Sequence, residues 1–149
     1  MTFLRSRTFQ IVALALRIVL GAIFVYAAWT KLRDSWALFA MAIDSYQLLP
    51  LRMVEWVAKT LPWVELLIGI LLIAGRWMRA AATVTSLLLL VFFGLMVRAY
   101  AKGMEINCGC FGPGETLSWV TLLRDGTMLA GSLLLTAITM ATTARRSAY

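Results

Sequence analysis

Two cysteines separated by a single glycine, in the stretch Asn107-Cys108-Gly109-Cys110-Phe111-Gly112-Pro113-Gly114, carry the most distinctive chemistry in this chain. The glycines and the proline mark a backbone that turns tightly, and Gly109 supplies dihedrals closed to other residues. A disulfide between sulfurs this near closes a small ring and departs from relaxed geometry, and strained disulfides are the more easily reduced ones. The pair Cys108 and Cys110 therefore reads as a redox-active dithiol. Two other readings stay open: a structural disulfide, which gains little from so short a loop, and half of an intermolecular metal site. The chain has no histidine and only two cysteines. That excludes His-ligated haem, Ser-His-Asp hydrolysis and a zinc site with four Cys or His ligands from one chain.

Ionisable residues inside apolar runs are the second clue. Each costs about 2.5 to 3.5 kcal/mol in hydrocarbon and normally faces a bundle interior. Glu65 stands about ten residues, roughly 15 Å, into one such helix. Arg124 and Asp125 stand about seven residues into another that runs the same way. These groups are expected to converge beneath the cysteine loop, with Glu65 paired to Arg124 and Arg17 as a second candidate partner. A structural ion pair that sets helix register is the alternative to a functional role. Should Arg98, Lys102 or Arg124 approach the cysteines, its positive field would favour the thiolate. Trp29, Trp36, Trp56, Trp63 and Trp119 gather at helix ends on the cysteine side and read as an interfacial belt rather than a quinone box.

The elements that must position these groups follow from hydropathy. Of the residues, 62% are hydrophobic and 14% charged, and the mean hydropathy is +0.85, values that make lipid the solvent. A crossing helix needs about 20 apolar residues. The apolar runs predict an all-α integral membrane protein, a single four-transmembrane-helix domain over 1–149 with spans at 8–30, 54–75, 80–101 and 117–143. Between the first two spans, Trp36, Phe39, Ala40 and Ile43 keep helical spacing against polar neighbours up to Pro50. This predicts a short amphipathic helix on the periplasmic interface. Arg5 and Arg7 ahead of the first run resemble the start of a signal peptide, but the run continues to Thr30 and reads as a retained helix.

The net charge of +7 comes from Lys and Arg scattered singly or in pairs, so no basic stripe for nucleic acid exists. Arg5 and Arg7, the turn 76–79, and Arg145 and Arg146 share one side with no acidic residue. By the positive-inside rule that side is cytoplasmic. The chain is then expected in a bacterial inner membrane, N-in and C-in, with the loop 102–116 outside, where disulfides persist.

Lys31-Leu32, Tyr46-Gln47-Leu48-Leu49-Pro50, Leu61-Pro62-Trp63-Val64-Glu65-Leu66-Leu67-Ile68-Gly69, Cys108-Gly109-Cys110-Phe111-Gly112 and Arg124-Asp125 together resemble the pattern of MauE-type proteins. These are the methylamine-utilisation membrane proteins, related to the DoxX-like group. The resemblance runs from Arg17 to about Leu135. It implies a four-helix membrane protein of disulfide metabolism outside the cytoplasm, acting with a thioredoxin-like partner or a disulfide-rich client. It also implies Cys108 and Cys110 as the redox pair, with Lys31, Glu65 and Arg124 as supporting polar residues. The original methylamine substrate does not transfer, since members occur in unrelated settings. The architecture further resembles the vitamin K epoxide reductase and DsbB type, which relay electrons between two cysteine pairs. With one pair, this chain has no internal relay.

The expectation is a thiol–disulfide oxidoreductase component that passes electrons between a periplasmic partner and a second protein or a membrane quinone. The rival is a non-catalytic membrane subunit that anchors or assembles a periplasmic complex. A small transporter built on Glu65 and Arg124 is disfavoured by the absence of an inverted repeat.

Overall fold

The computed structural model describes residues 7–109, 111 and 115–146. Its elements are helices throughout: α1 (Arg7–Arg33), α2 (Trp36–Asp44), α3 (Leu51–Ala74), α4 (Met78–Ala101) and α5 (Trp119–Arg146). By length and composition α1, α3 and α4 can each cross a membrane. α5 has 28 residues, roughly 42 Å of helix at 1.5 Å per residue. Arg124, Asp125 and a series of threonines keep it from matching the apolarity of the other three. Large apolar side chains such as Val19, Leu67, Ile70, Leu87 and Leu90 face outward from the bundle. In water such a surface would aggregate, whereas in a bilayer it meets its own solvent.

Local signals set the ends of these helices. Proline 50, with φ −66°, stands at the N-cap of α3, and its fixed φ suits a helix start. Gly75 closes α3 in the left-handed region, φ +71°, and its N–H donates to the carbonyls of Leu71 and Leu72, as helix C-termini commonly require. Ser35 caps α2 by accepting from the N–H of Ala37. At the start of α5, the Ser118 hydroxyl accepts the Thr121 N–H at 3.3 Å and the Thr121 hydroxyl accepts the Ser118 N–H at 2.8 Å. This reciprocal bonding is that of a capping box.

α1 packs chiefly on α3 and α4 on α5, while α2 lies against α3. Glycines bring the first pair close. A Cβ on Gly69 would sit 2.8 Å from the carbonyl oxygen of Gly21, and one on Gly21 would sit 2.7 Å from Ile73 Cγ1. Small residues at helix contacts let backbones approach where no hydrophobic effect drives association in lipid. Across α4 and α5, Thr136 Oγ1 donates to the carbonyl of Ala82 at 3.0 Å and lies 2.9 Å from Ser86 Oγ. Leu20, Phe24, Ile68, Leu72, Ala81, Ala82 and Leu135 fill the centre.

Two expectations shift here. The first helix runs on to Arg33, so Lys31 belongs to its last turn rather than to the loop that follows. α3 starts at Leu51 and continues through Pro62 without ending.

Candidate functional site

The cysteine loop is a short hairpin between α4 and α5. Asn107 and Thr116 form an antiparallel bridge. Around it the Cys108 N–H donates to the Glu115 carbonyl and the Leu117 N–H to the Ile106 carbonyl, both at 2.9 Å. The loop rests on α2 and the turn that follows it: the hydroxyl of Tyr46, just beyond α2, donates to the Cys108 carbonyl at 3.3 Å. Gly109 has φ +71°, and a Cβ there would stand 3.1 Å from Ala42 Cβ. Both the dihedral and the close approach to α2 require glycine at this position.

Cys108 is buried, with 2% of its surface exposed. Its Sγ lies 3.4 Å from Glu115 Oε2, within hydrogen-bonding distance for sulfur. Glu115 is in turn clamped by Arg124, whose Nη1 and Nη2 donate to its two oxygens in the bidentate manner that makes such pairs strong. Arg124 Nε donates to Asp125 Oδ1 at 3.1 Å, and the guanidinium stacks on the Phe111 ring at 4.5 Å. Partial burial works against the Glu115 charge. The hydrogen bonds and charge of Arg124, with the contact to Cys108, outweigh it and hold the carboxyl below its ordinary range.

Deeper in the bundle, Lys31 Nζ donates to both oxygens of Glu65 at 2.8 Å. The two side chains are only 2% and 7% exposed. The ammonium also sits 5.2 Å from the centre of the Phe39 ring, on α2. Lys31, Glu65 and Asp125 border one small cavity of about 50 Å³ that also touches Phe111 of the loop. A second cavity, of about 360 Å³, lies among α2, α3 and α4. Its wall is apolar, with Phe39, Tyr46, Leu61, Phe92 and Leu95, and Cys108 borders it.

This arrangement corrects the expected charge pairing. Glu65 is held by Lys31, and Arg124 by Glu115 and Asp125. Arg17 does not reach Glu65, because its Nη2 donates to the Ile73 carbonyl near the opposite end of α3. Arg98 lies exposed on α4 and takes no part in the described ion pairs. Arg124 does approach Cys108, but with the Glu115 carboxylate between them. Cys110 lies outside the described residues. Glu115 is the residue that spacing alone did not single out. Only the Asn107–Thr116 bridge and the bond from the Cys108 N–H to the Glu115 carbonyl bring position 115 opposite 108.

The fold and the site define a helical membrane protein in which a cysteine loop packs on a short helix above a buried ion pair. The chain belongs to the MauE family: the family model described as methylamine utilisation protein MauE matches residues 9–138. It is 34% identical over 130 residues to methylamine utilization protein MauE of Paracoccus denitrificans, an alignment covering 85% of this chain and 66% of that protein. It is 33% identical over 104 residues to protein TlpB of Flavobacterium psychrophilum, covering 65% of this chain and 28% of that protein. The chain thus spans less than two thirds of the length of either relative. No solved structure matches it.

Proposed function

We propose that this chain is a membrane thiol–disulfide redox component whose Cys108 and Cys110 exchange electrons with an extracytoplasmic protein, thioredoxin-like or disulfide-rich. The observation that carries the reading is the carboxylate of Glu115 beside Cys108 Sγ, held in place by Arg124. A carboxylate at that distance can take the thiol proton as the sulfur turns nucleophilic.

The burial of Cys108 suits it to the resolving role. A partner's disulfide cannot reach a sulfur as covered as Cys108, so Cys110 makes the first attack. Its thiolate attacks one sulfur of the partner's disulfide, breaking that bond and forming a mixed disulfide, and the partner's released thiolate takes up a proton. Cys108 then passes its proton to Glu115 and attacks the Cys110 sulfur. The Cys108–Cys110 bond forms, and the partner leaves reduced by two electrons. The reverse sequence oxidises the partner. The loop is already tied down by the Asn107–Thr116 bridge and the Tyr46 hydrogen bond. A disulfide that serves only as a staple would add little to it, which weighs against the purely structural subunit.

α5 is the fourth crossing in this reading, antiparallel to α4. The cysteine loop faces outward from a bacterial inner membrane, because the arginine-bearing ends fall on the opposite side. The apolar cavity bordered by Cys108 fits a lipid-soluble quinone in polarity and size, with Phe39, Tyr46 and Phe92 as the residues that would hold it. When bound, such a group supplies a two-electron acceptor.

The test is capture in whole cells. A Cys108→Ser variant is expected to accumulate a mixed disulfide with a partner through Cys110, and a Cys110→Ser variant to accumulate none. Equal trapping by both variants overturns the assignment of roles. No trapping by either, with both cysteines locked in one redox state, overturns the redox reading.

A further inference from the structure

At the end of the bundle remote from the cysteine loop, α1, α4 and α5 enclose a separate cavity of about 640 Å³. Its wall carries Arg17 and Arg79, with Gln10 and Thr139 beside them and Leu135 and Ile138 behind. None of the chain's seven acidic residues falls in the segments that meet at this end: α1 as far as Arg17, the turn 75–77, α4, or α5 beyond Asp125. The two guanidinium groups therefore meet no counter-charge from the described residues.

Arg17 is fixed there by the fold. Its Nη2 donates to the Ile73 carbonyl at 3.3 Å, and its guanidinium lies against Gly75, where a Cβ would stand 2.5 Å from Nη1. The Nε atom is buried without a hydrogen-bond partner among the described residues, a cost that a native site normally offsets with a ligand or solvent. A second observation points the same way. α4 begins after Trp77 with no side chain capping it, and Met78 and Arg79 of its first turn border the cavity. First-turn N–H groups have no acceptor within their own helix, and the positive end of the helix dipole attracts anions.

We infer that this cavity binds the phosphate headgroup of an anionic phospholipid. The chemistry that recognises the phosphate would also suit a free ion, but the rest of the wall favours a lipid. Leu135 and Ile138 continue into the outward apolar surface of Ile11, Leu14 and Leu134, where acyl chains would lie. Basic pockets between transmembrane helices are suited to anionic headgroups for this reason. The inference is independent of the redox reading.

Native mass spectrometry of the purified full chain, with phosphatidylglycerol, phosphatidylcholine and inorganic phosphate as probes, tests it. Wild type is expected to retain one phosphatidylglycerol in preference to phosphatidylcholine, undisturbed by a millimolar excess of phosphate. Arg79 is exposed and in no described ion pair, so Arg79→Gln should fold normally yet hold the lipid about fivefold more weakly. Arg17→Gln should do the same, its folding followed by tryptophan fluorescence. Should it fail to fold, Arg79→Gln decides alone. Arg76→Gln, in the same turn but outside the cavity, should match wild type. Equal loss in Arg76→Gln, no headgroup preference, or displacement of the lipid by phosphate would each overturn the assignment.

Discussion

Replacing Lys31 by methionine leaves Glu65 as a buried carboxylate with no cation to answer it. In the folded chain the ammonium touches both carboxylate oxygens at 2.8 Å, and both side chains are almost wholly buried. Arg124 cannot substitute, since Glu115 and Asp125 engage it. Breaking one partner of a buried pair costs about 3 to 5 kcal/mol, whereas replacing both with apolar residues of similar volume is close to neutral. For a chain of this size each kcal/mol moves the unfolding midpoint by about 2 to 4 °C. Lys31→Met should therefore lower the midpoint by about 6 to 20 °C. The double variant Lys31→Met/Glu65→Leu should recover most of that loss. Thermal scans in detergent, read by tryptophan fluorescence, measure both. A single variant that unfolds with wild type, or a double variant no more stable than the single, refutes the claim that the pair is a desolvated unit.

Gly69→Ala should destabilise by about 1 to 3 kcal/mol, because the new methyl meets the Gly21 carbonyl oxygen at 2.8 Å and backbone cannot step aside; an unchanged thermal midpoint would contradict this. Tyr46→Phe removes the hydroxyl that donates to the Cys108 carbonyl. It should cost about 1 kcal/mol and speed alkylation of Cys108 by a maleimide in the Cys110→Ser background. The pH dependence follows from Glu115, whose carboxyl is held below its ordinary 4.5. A lowered carboxyl stabilises the fold above that value and stops doing so as pH falls through the lower folded pKa. The gap in thermal midpoint between wild type and Glu115→Gln should accordingly be full near neutrality and close in acid; a gap that widens in acid would contradict the ion pair.

Much of the helical layout can be read from residue type. Gly75 ends α3 and Pro50 precedes it, and the apolar runs around Leu20, Ile68 and Leu88 are long enough to be unambiguous. Lys31 was harder to place, because a cation after an apolar run marks a helix end and also a loop start. One additional turn of α1 turns it inward to Glu65. Glu115 was hidden for a different reason: nothing about a lone glutamate after Gly-Pro-Gly reveals which residue will sit opposite it.

The residues by themselves determined the solvent and the secondary structure. A chain this apolar must satisfy its backbone within helices once it enters lipid, and two neighbouring thiols single out the segment to which the proposed redox chemistry is assigned. Only the tertiary structure decided which charges meet. Partner choice depends on helix rotation and axial offset, which are set here by backbone contact at Gly21 and Gly69 and by the hairpin that brings Glu115 to Cys108 and Arg124. Those are long-range steric quantities, and the local periodicity of an apolar helix, similar on every face, carries almost no record of them.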